Sequence, residues 1–343
     1  MDPIVIVIIA VVVVGAGLFL VLWQKKPDEP AGKQPPSEPA PSSSAKPGDS
    51  PSSERVPTSS PTSTPKSTPS PTSEPSATSA PADEVFEEPA DDKTGPNPLI
   101  LVTAVGRTDP GLKRKHNEDA YLVLEEHSLF VVADGMGRHA AGEVASRLAV
   151  DTVSKAYTSG DFGTFPQNPK IPRAANRLLS AFLLANASIF KESREVEAYA
   201  GMGTTMVALN FSVNRKLAVI VHAGDSRCYR IRKNEIKQLT QDHTLGAAGI
   251  VGPSAYILSR AVGIEEHLEP DVNLEQPDPE DLYLICSDGL SRMITNEAIL
   301  ECCTSSRNLD DVCKRLIDLA NQGGGRDNVT VILVRVEQPP FGS

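Results

Sequence analysis

The stretch VVADGMGRHAAGEVAS, Val131–Ser146, closes an apolar run on an aspartate and a glycine and then enters a segment with helical spacing. A carboxylate at the end of a buried strand is costly unless something offsets its charge. The arrangement recurs: Leu282–Cys286 runs through Ser287 into Asp288-Gly289, and Asp327-Asn328 immediately precedes the apolar run that starts at Val329. Asp134, Asp288 and Asp327 thus all lie at predicted strand ends. If those ends coincide, three carboxylates share one cleft, and a bound cation is the simplest remedy for their repulsion. Carboxylates and glycine carbonyls without a Cys or His cluster make a hard oxygen site, suited to Mg²⁺ or Mn²⁺ rather than Zn²⁺. Glycine after Asp134 and Asp288 lets the backbone turn tightly and bring a carbonyl close to an ion. One Asp-Gly pair alone is an ordinary turn signal; the recurrence carries the weight.

The surroundings alternate between two periodicities. Runs rich in Val, Ile and Leu predict strands at 99–105, 120–124, 129–133, 204–211, 217–222, 228–231, 282–286 and 329–336. Helical spacing predicts helices at 141–157, 174–190, 296–303 and 309–320. The helices come as one pair after the third strand and one pair before the last. A regular βαβ alternation is absent, which argues for antiparallel rather than parallel sheets. The expected fold class is α+β: a four-layer αββα sandwich of two antiparallel sheets flanked by helices, over residues 98–337.

Further short motifs lie in order along the same region. They are Arg114-Lys-His-Asn117-Glu118-Asp119, Asp134-Gly135-Met136-Gly137, Gly201-Met-Gly203-Thr204-Thr205, Gly224-Asp225-Ser226-Arg227, Ser287-Asp288-Gly289-Leu290 and Arg326-Asp327-Asn328. This ordered set resembles the metal-dependent Ser/Thr protein phosphatases, the protein phosphatase 2C family, in its bacterial branch. The resemblance implies that Asp134 bridges two metal ions, Mg²⁺ or Mn²⁺, and that the Gly135 carbonyl binds one of them. It further implies that Asp288 and Asp327 complete the second ion's shell, and that Glu118 and Asp119 hold metal-bound waters. Asp225, with Asp288, matches the position of a third, weaker ion. Arg114 matches the arginine that grips the substrate phosphate, a role suited to a permanently charged forked donor, and Asn328 the residue that orients ligands from behind. The implied reaction is direct in-line attack on phosphorus by a hydroxide bridging the two ions, with no covalent phosphoenzyme.

Two positions depart from the family pattern. Met136 stands where eukaryotic relatives carry a histidine proposed as general acid, and nearby His139 does not inherit that role. Arg138 replaces a glycine usual in bacterial relatives; a reach toward an acidic or phosphorylated substrate fits it, and a plain surface arginine fits it better. The segment 242–263 matches the substrate-flap region by its flanks, with a short glycine-containing middle at 246–254; a substrate-selecting loop and a plain connection both fit it. Arg227 and Thr204 read as structural supports. His116, His222 and His243 read as hydrogen-bonded structural residues, with no acid or cysteine at ligand spacing beside them. Gly323-Gly-Gly325 lacks a phosphate-loop ending and reads as a flexible entry to Arg326-Asp327, and Gly135-Met-Gly137 does not fit a dinucleotide fingerprint.

Upstream, the chain changes character twice. Residues 4–23 form an uncharged run of 20 residues, about 30 Å as a helix, which predicts a single transmembrane span. A cleaved signal peptide is the alternative, against which stand the length of the run and the lack of Lys or Arg before it. Lys25 and Lys26 follow at once, so the positive-inside rule places the rest in the cytoplasm. Between 31 and 82, 34 of 52 residues are Pro, Ser or Thr, too few apolar groups to offset the entropy of ordering; residues 27–97 are therefore expected to be a disordered tether ending in an acidic patch at 83–92. A glycosylated stalk is the alternative should this face lie outside.

The chain of 343 residues carries net charge −11. The first 97 residues hold 7 basic and 13 acidic groups, leaving 26 basic and 31 acidic for the rest, net −5 and without a basic stripe, so nucleic acid is not an expected partner. Cys228, Cys286, Cys302, Cys303 and Cys313 show neither zinc-finger nor disulfide-framework spacing, and no Cys-x5-Arg loop is present. The expectation is a membrane-anchored phosphatase acting on phosphoserine and phosphothreonine proteins, targets of a Ser/Thr kinase. A catalytically inactive phosphoprotein-binding module of the same fold is the alternative, disfavoured by the complete set Asp119, Asp134, Asp288 and Asp327.

Overall fold

A computed structural model describes residues 7–14, 17–24, 99–138 and 140–340. The expected tether at 27–97, its acidic patch and His139 lie outside the described residues.

At the N-terminus, β1 (Val7–Val14) and β2 (Gly17–Gln24) pair antiparallel, with Val14 opposite Gly17. The helix expected over 4–23 is therefore not what is found. Nearly every residue of β1 is Val or Ile, whose branched side chains favour extended backbone. No helix among the described residues is long and apolar enough to cross a membrane.

From residue 99 onward the strands are β3 (Leu101–Asp109), β4 (Asp119–Leu124), β5 (Leu129–Met136), β6 (Gly203–Thr204), β7 (Met206–Ser212), β8 (Leu217–Ala223), β9 (Arg227–Arg232), β10 (Glu235–Gln238), β11 (Asp271–Glu275), β12 (Leu282–Cys286) and β13 (Val329–Glu337). The helices are α1 (Ala141–Ser159), α2 (Arg173–Glu195), α3 (Asp288–Ser291), α4 (Asn296–Thr304) and α5 (Leu309–Gln322). One sheet has the order β10-β9-β12-β13-β3 and the other β11-β8-β7-β5-β4, with β6 paired to the end of β5; every pairing is antiparallel.

The period-2 pattern of the central strands explains the layering. On β5, Leu129, Val131 and Ala133 face α1 and α2, while Phe130 and Val132 face the opposite sheet. On β13, Val329, Val331 and Leu333 pack with α4 and α5, while Ile332, Val334 and Val336 point between the sheets. Strands buried on both faces read as continuous apolar runs, the signal on which their prediction rested. Helix ends follow local chemistry: Asn308 caps α5 by accepting from the N–H groups of Asp310 and Asp311, Thr295 caps α4, and Gly160 ends α1 at φ +74°.

Candidate functional site

The register of the sheets gathers the acids. Asp119 opens β4 directly opposite Asp134 near the end of β5. In the other sheet, Cys286 of β12 pairs with both Val331 of β13 and Arg227 of β9. Asp288 just after β12, Asp327 just before β13 and Asp225 just before β9 therefore share one end of that sheet. The acids whose charge acts on Asp134 are Asp119, Asp288, Asp327 and Asp225.

Asp119 ties the two sheets together. Its Oδ2 accepts from Ser287 Oγ at 2.8 Å and from Thr330 Oγ1 at 2.6 Å, while its buried Oδ1 has no hydrogen-bond partner. Asp288 Oδ1 is likewise buried without a partner. Burial first, then the neighbouring carboxylates, pushes Asp134 well above the usual carboxylate range. Burial dominates for Asp119 too, raised to about 7, and for Asp288, raised to about 6 with Asp225 as the main like charge. Carboxylates held against their preferred ionisation, with orphaned oxygens, are a donor set that fits hard divalent cations.

The backbone around Asp134 is closely packed. Its carbonyl accepts from Thr204 Oγ1 at 2.8 Å and from Thr205 N–H at 2.9 Å, and Gly135 N–H donates to the Glu118 carbonyl at 3.0 Å. A Cβ on Gly135 would overlap the Gly142 carbonyl, and one on Gly142 would lie 2.7 Å from Glu118 Oε1. Burial raises Glu118 above its ordinary value, although Arg114 opposes the shift.

Arg114 is half-exposed and donates from Nη2 to Asp327 Oδ2 at 2.8 Å, with Nη1 3.5 Å from Glu118 Oε2. Its loop is fixed from two sides. Asn328 Oδ1 accepts from Glu118 N–H at 2.8 Å, and its Nδ2 donates to the carbonyls of Pro110 and His116 at 3.0 and 2.9 Å. The Gly325 carbonyl accepts from Leu112 and Lys113 N–H at 2.8 and 3.1 Å. The expected flexible entry at 323–325 is thus a packed turn: Gly325 has φ +50°, and a Cβ there would lie 2.7 Å from Leu112 Cγ and Asn321 Oδ1. Asn328→Ala is expected to weaken Mn²⁺ binding about 10- to 100-fold by freeing the loop that carries Glu118 and Arg114, a change that calorimetric titration of the variant measures.

Arg227 forms a forked pair with Asp242 at 2.9 and 2.7 Å and donates to Tyr229 Oη, so it braces the segment that follows. Beyond it lies a cavity of 490 Å³, whose lining includes Asp225, Asp242, Tyr256 and Arg292. The 242–263 segment therefore borders the acidic end, with Val251, Tyr256 and Ile257 exposed. Arg138 is exposed. All five cysteines are free and buried, and burial pushes the Cys286 thiol up to about 12, far from a nucleophile's poise.

Four features escaped the sequence reading. Ser287 and Thr330 serve Asp119, and Arg292, one helical turn after Asp288, pairs with it at 2.8 Å; position next to the motif acids was the available signal. The fourth is a correction: an acid does lie beside the histidines. The β8–β11 pairing sets Asp271 opposite His222, and His222, His243 and Asp271 form a group of potential ligand atoms. His243 Nδ1 accepts from Gly224 N–H at 3.2 Å, so its proton is on Nε2, which faces Asp271 Oδ2 at 3.3 Å. His222 Nε2 donates to the Gln241 carbonyl at 2.9 Å. The two rings stack at 4.6 Å with 21° between their planes, so their in-plane lone pairs run side by side rather than toward one point. Burial lowers both histidines, so the neutral ring of His243 supports the Gly224-Asp225 turn, while Asp271 pairs with Arg260 at 2.6 Å.

Comparison with known proteins agrees with this geometry. A family profile described as "Protein phosphatase 2C" matches residues 113–324. The serine/threonine phosphatase stp of Listeria monocytogenes is 34% identical over 252 residues, which cover 66% of this chain and 93% of the relative. The serine/threonine protein phosphatase PstP of Mycobacterium tuberculosis is 34% identical over 254 residues, 71% of this chain; the match spans 46%, about half, of that relative's length. Among solved structures, the M. tuberculosis phosphatase PstP/Ppp superposes with TM-score 0.61 at 33% identity, covering 70% of this chain and all of the other. The catalytic domain of PstP in complex with two manganese ions gives TM-score 0.60 at 34% identity over the same shares.

Proposed function

The chain belongs to the protein phosphatase 2C family, and on that premise we propose that it is an active, metal-dependent phosphatase of phosphoserine and phosphothreonine proteins. The observation that carries this reading is the convergence of Asp119, Asp134, Asp288 and Asp327, with partnerless oxygens on Asp119 and Asp288. Asp134, the Gly135 carbonyl, Asp288 and Asp327 would hold two Mg²⁺ or Mn²⁺ ions, Glu118 and Asp119 would act through water, and Asp225 with Asp288 would take a third ion. Such ions supply Lewis acidity and an activated water for in-line displacement at phosphorus. The chain's own side chains do the rest. Thr204 and Thr205 fix the Asp134 backbone, Ser287 and Thr330 orient Asp119 and oppose the rise that burial imposes on it, and Asn328 fixes the loop that carries Arg114. Arg114 exchanges its bond with Asp327 for the substrate phosphate, a trade between two anions that a forked guanidinium makes at little cost.

The test is Mn²⁺-dependent release of phosphate from a phosphothreonine peptide by the full chain. Release that stops on chelation and returns with Mn²⁺ supports the reading. Peptide binding without release under all metal conditions would favour the inactive binding module instead.

The apolar run at 4–23 extends the proposal. A two-stranded pair leaves two unpaired backbone edges, which a bilayer cannot satisfy, whereas a helix of 20 residues satisfies its own backbone and spans the core. Within a membrane the run takes the helical form, with Lys25 and Lys26 holding the phosphatase on the cytoplasmic side of the cell membrane. Its substrates are then membrane-proximal targets of a Ser/Thr kinase, met at raised effective concentration. Removing residues 1–26 is expected to leave peptide hydrolysis unchanged and to slow dephosphorylation of a vesicle-bound phosphoprotein about tenfold or more; equal rates on both would refute the anchor's role.

A further inference from the structure

Arg292 caps the short helix α3, one turn after Asp288. Its Nη2 lies 2.6 Å from Asp225 Oδ2 and 2.8 Å from Asp288 Oδ2, so one nitrogen bridges both carboxylates. These are the two acids that the proposed function gives to a third divalent ion. An ion that took both oxygens at ~2.0–2.1 Å would need the lone pairs that Arg292 now occupies and would set a second positive charge beside the guanidinium. The guanidinium and the ion therefore compete for this pair of acids. The same guanidinium stacks over the Tyr256 ring with its Cζ 4.9 Å from the centroid, and Tyr256 belongs to the 242–263 segment that borders the cleft. Tyr256 is 64% exposed even with this contact, and the stacking on Arg292 ties it to the acidic end.

We propose that Arg292 is a tethered cation that fills the third-ion position between Asp225 and Asp288, and that a third ion binds only by displacing it, which releases Tyr256 and loosens the 246–257 loop. The inference rests on the two-ion reading above. It gives this chain a weak third site by construction, and it makes metal occupancy at that site a control on the loop that meets substrate. Arg292 is a positioning residue here; it acts through the two acids and through Tyr256.

The experiment is an Mn²⁺ titration of the full chain, followed by calorimetry and by hydrogen exchange of residues 246–257. Wild type is expected to take two ions tightly and a third weakly, with loop exchange rising only as the third binds. Arg292→Ala should strengthen the third site about 10- to 100-fold, the scale of a lost charge-assisted bond, with fast loop exchange before any metal is added. Arg292→Lys, a shorter point charge, should fall between the two. Tyr256→Ala, an exposed change that the fold tolerates, should strengthen the third site about two- to fivefold by removing the stacking that helps hold the guanidinium in place. Equal or weaker third-ion binding in Arg292→Ala, with two tight ions retained, overturns the proposal. Loop exchange that ignores the third ion overturns its coupling to Tyr256. A wild type that binds no Mn²⁺ tightly is a different failure, which removes the two-ion reading and this inference together.

Discussion

Asp134→Asn is expected to reduce Mn²⁺-dependent phosphate release from a phosphothreonine peptide by about 10³-fold or more while leaving the fold intact. The side chain is the one on which the charges of Asp119, Asp288, Asp327 and Asp225 all act, and it stands opposite Asp119 in the β4–β5 pair. An amide of the same shape keeps the packing but offers one oxygen and no charge, so it would hold divalent cations far more weakly. Loss of one preorganised electrostatic group costs about 10²–10³ in rate, and on the proposed two-ion reading Asp134 serves both ions, so its loss costs more. The backbone bonds of Asp134 to Thr204 and Thr205 are untouched by the substitution, so the variant's melting temperature without metal should be equal to or above that of wild type. Phosphate release at the wild-type rate by a folded Asp134→Asn protein would remove Asp134 from the reaction.

The second large effect is on stability and has a definite sign in pH. Asp119 and Asp288 are raised to about 7 and about 6 in the metal-free fold, while their unfolded values lie near ~3.9. Between about pH 4 and pH 7 the folded state holds more protons than the unfolded one, so metal-free stability falls as pH rises through that window. Divalent cations require the ionised acids and reverse the trend. At a free Mn²⁺ concentration 100 times Kd the stabilisation is about 2.7 kcal/mol per site, or roughly 5–10 °C for a domain of this size. Melting curves with chelator should therefore decline from pH 5 to pH 8, and the Mn²⁺-induced rise should grow over the same range. A metal-induced shift that is largest at pH 5 would mean that the ions are not held by these acids.

Most of the architecture was legible because the central strands are buried on both faces. β5, β7, β12 and β13 are nearly unbroken apolar runs, and α1, α2, α4 and α5 carry helical spacing along one face. The strands missed, β10 and β11, lie at sheet edges, are half-exposed and mix Glu, Lys, Gln, Asp and Asn with single apolar residues, so neither periodicity stands out. Missing β11 also hid Asp271 from the two histidines it faces. The N-terminal run shows the opposite failure: its length argues for a span, while its Val and Ile content also suits paired strands, and composition alone does not decide between them.

The site was legible in part for a related reason. Each motif acid could be placed at a strand end, yet which ends coincide depends on register between strands far apart in sequence. Supports that lie beside a motif, such as Ser287 and Thr330, act across the gap between sheets, and that direction is not written in local spacing. Gly323-Gly-Gly325 looked like slack for the same reason, because the partner that makes it tight, Leu112, is more than 200 positions away.

The central claim is that these acids hold a pair of divalent ions bridged by Asp134. Electron paramagnetic resonance of the full chain loaded with two equivalents of Mn²⁺ tests it most directly. The account predicts the spectrum of an exchange-coupled manganese pair, lost in Asp134→Asn. A spectrum of isolated Mn²⁺ ions in wild type, unchanged by that substitution, would contradict it.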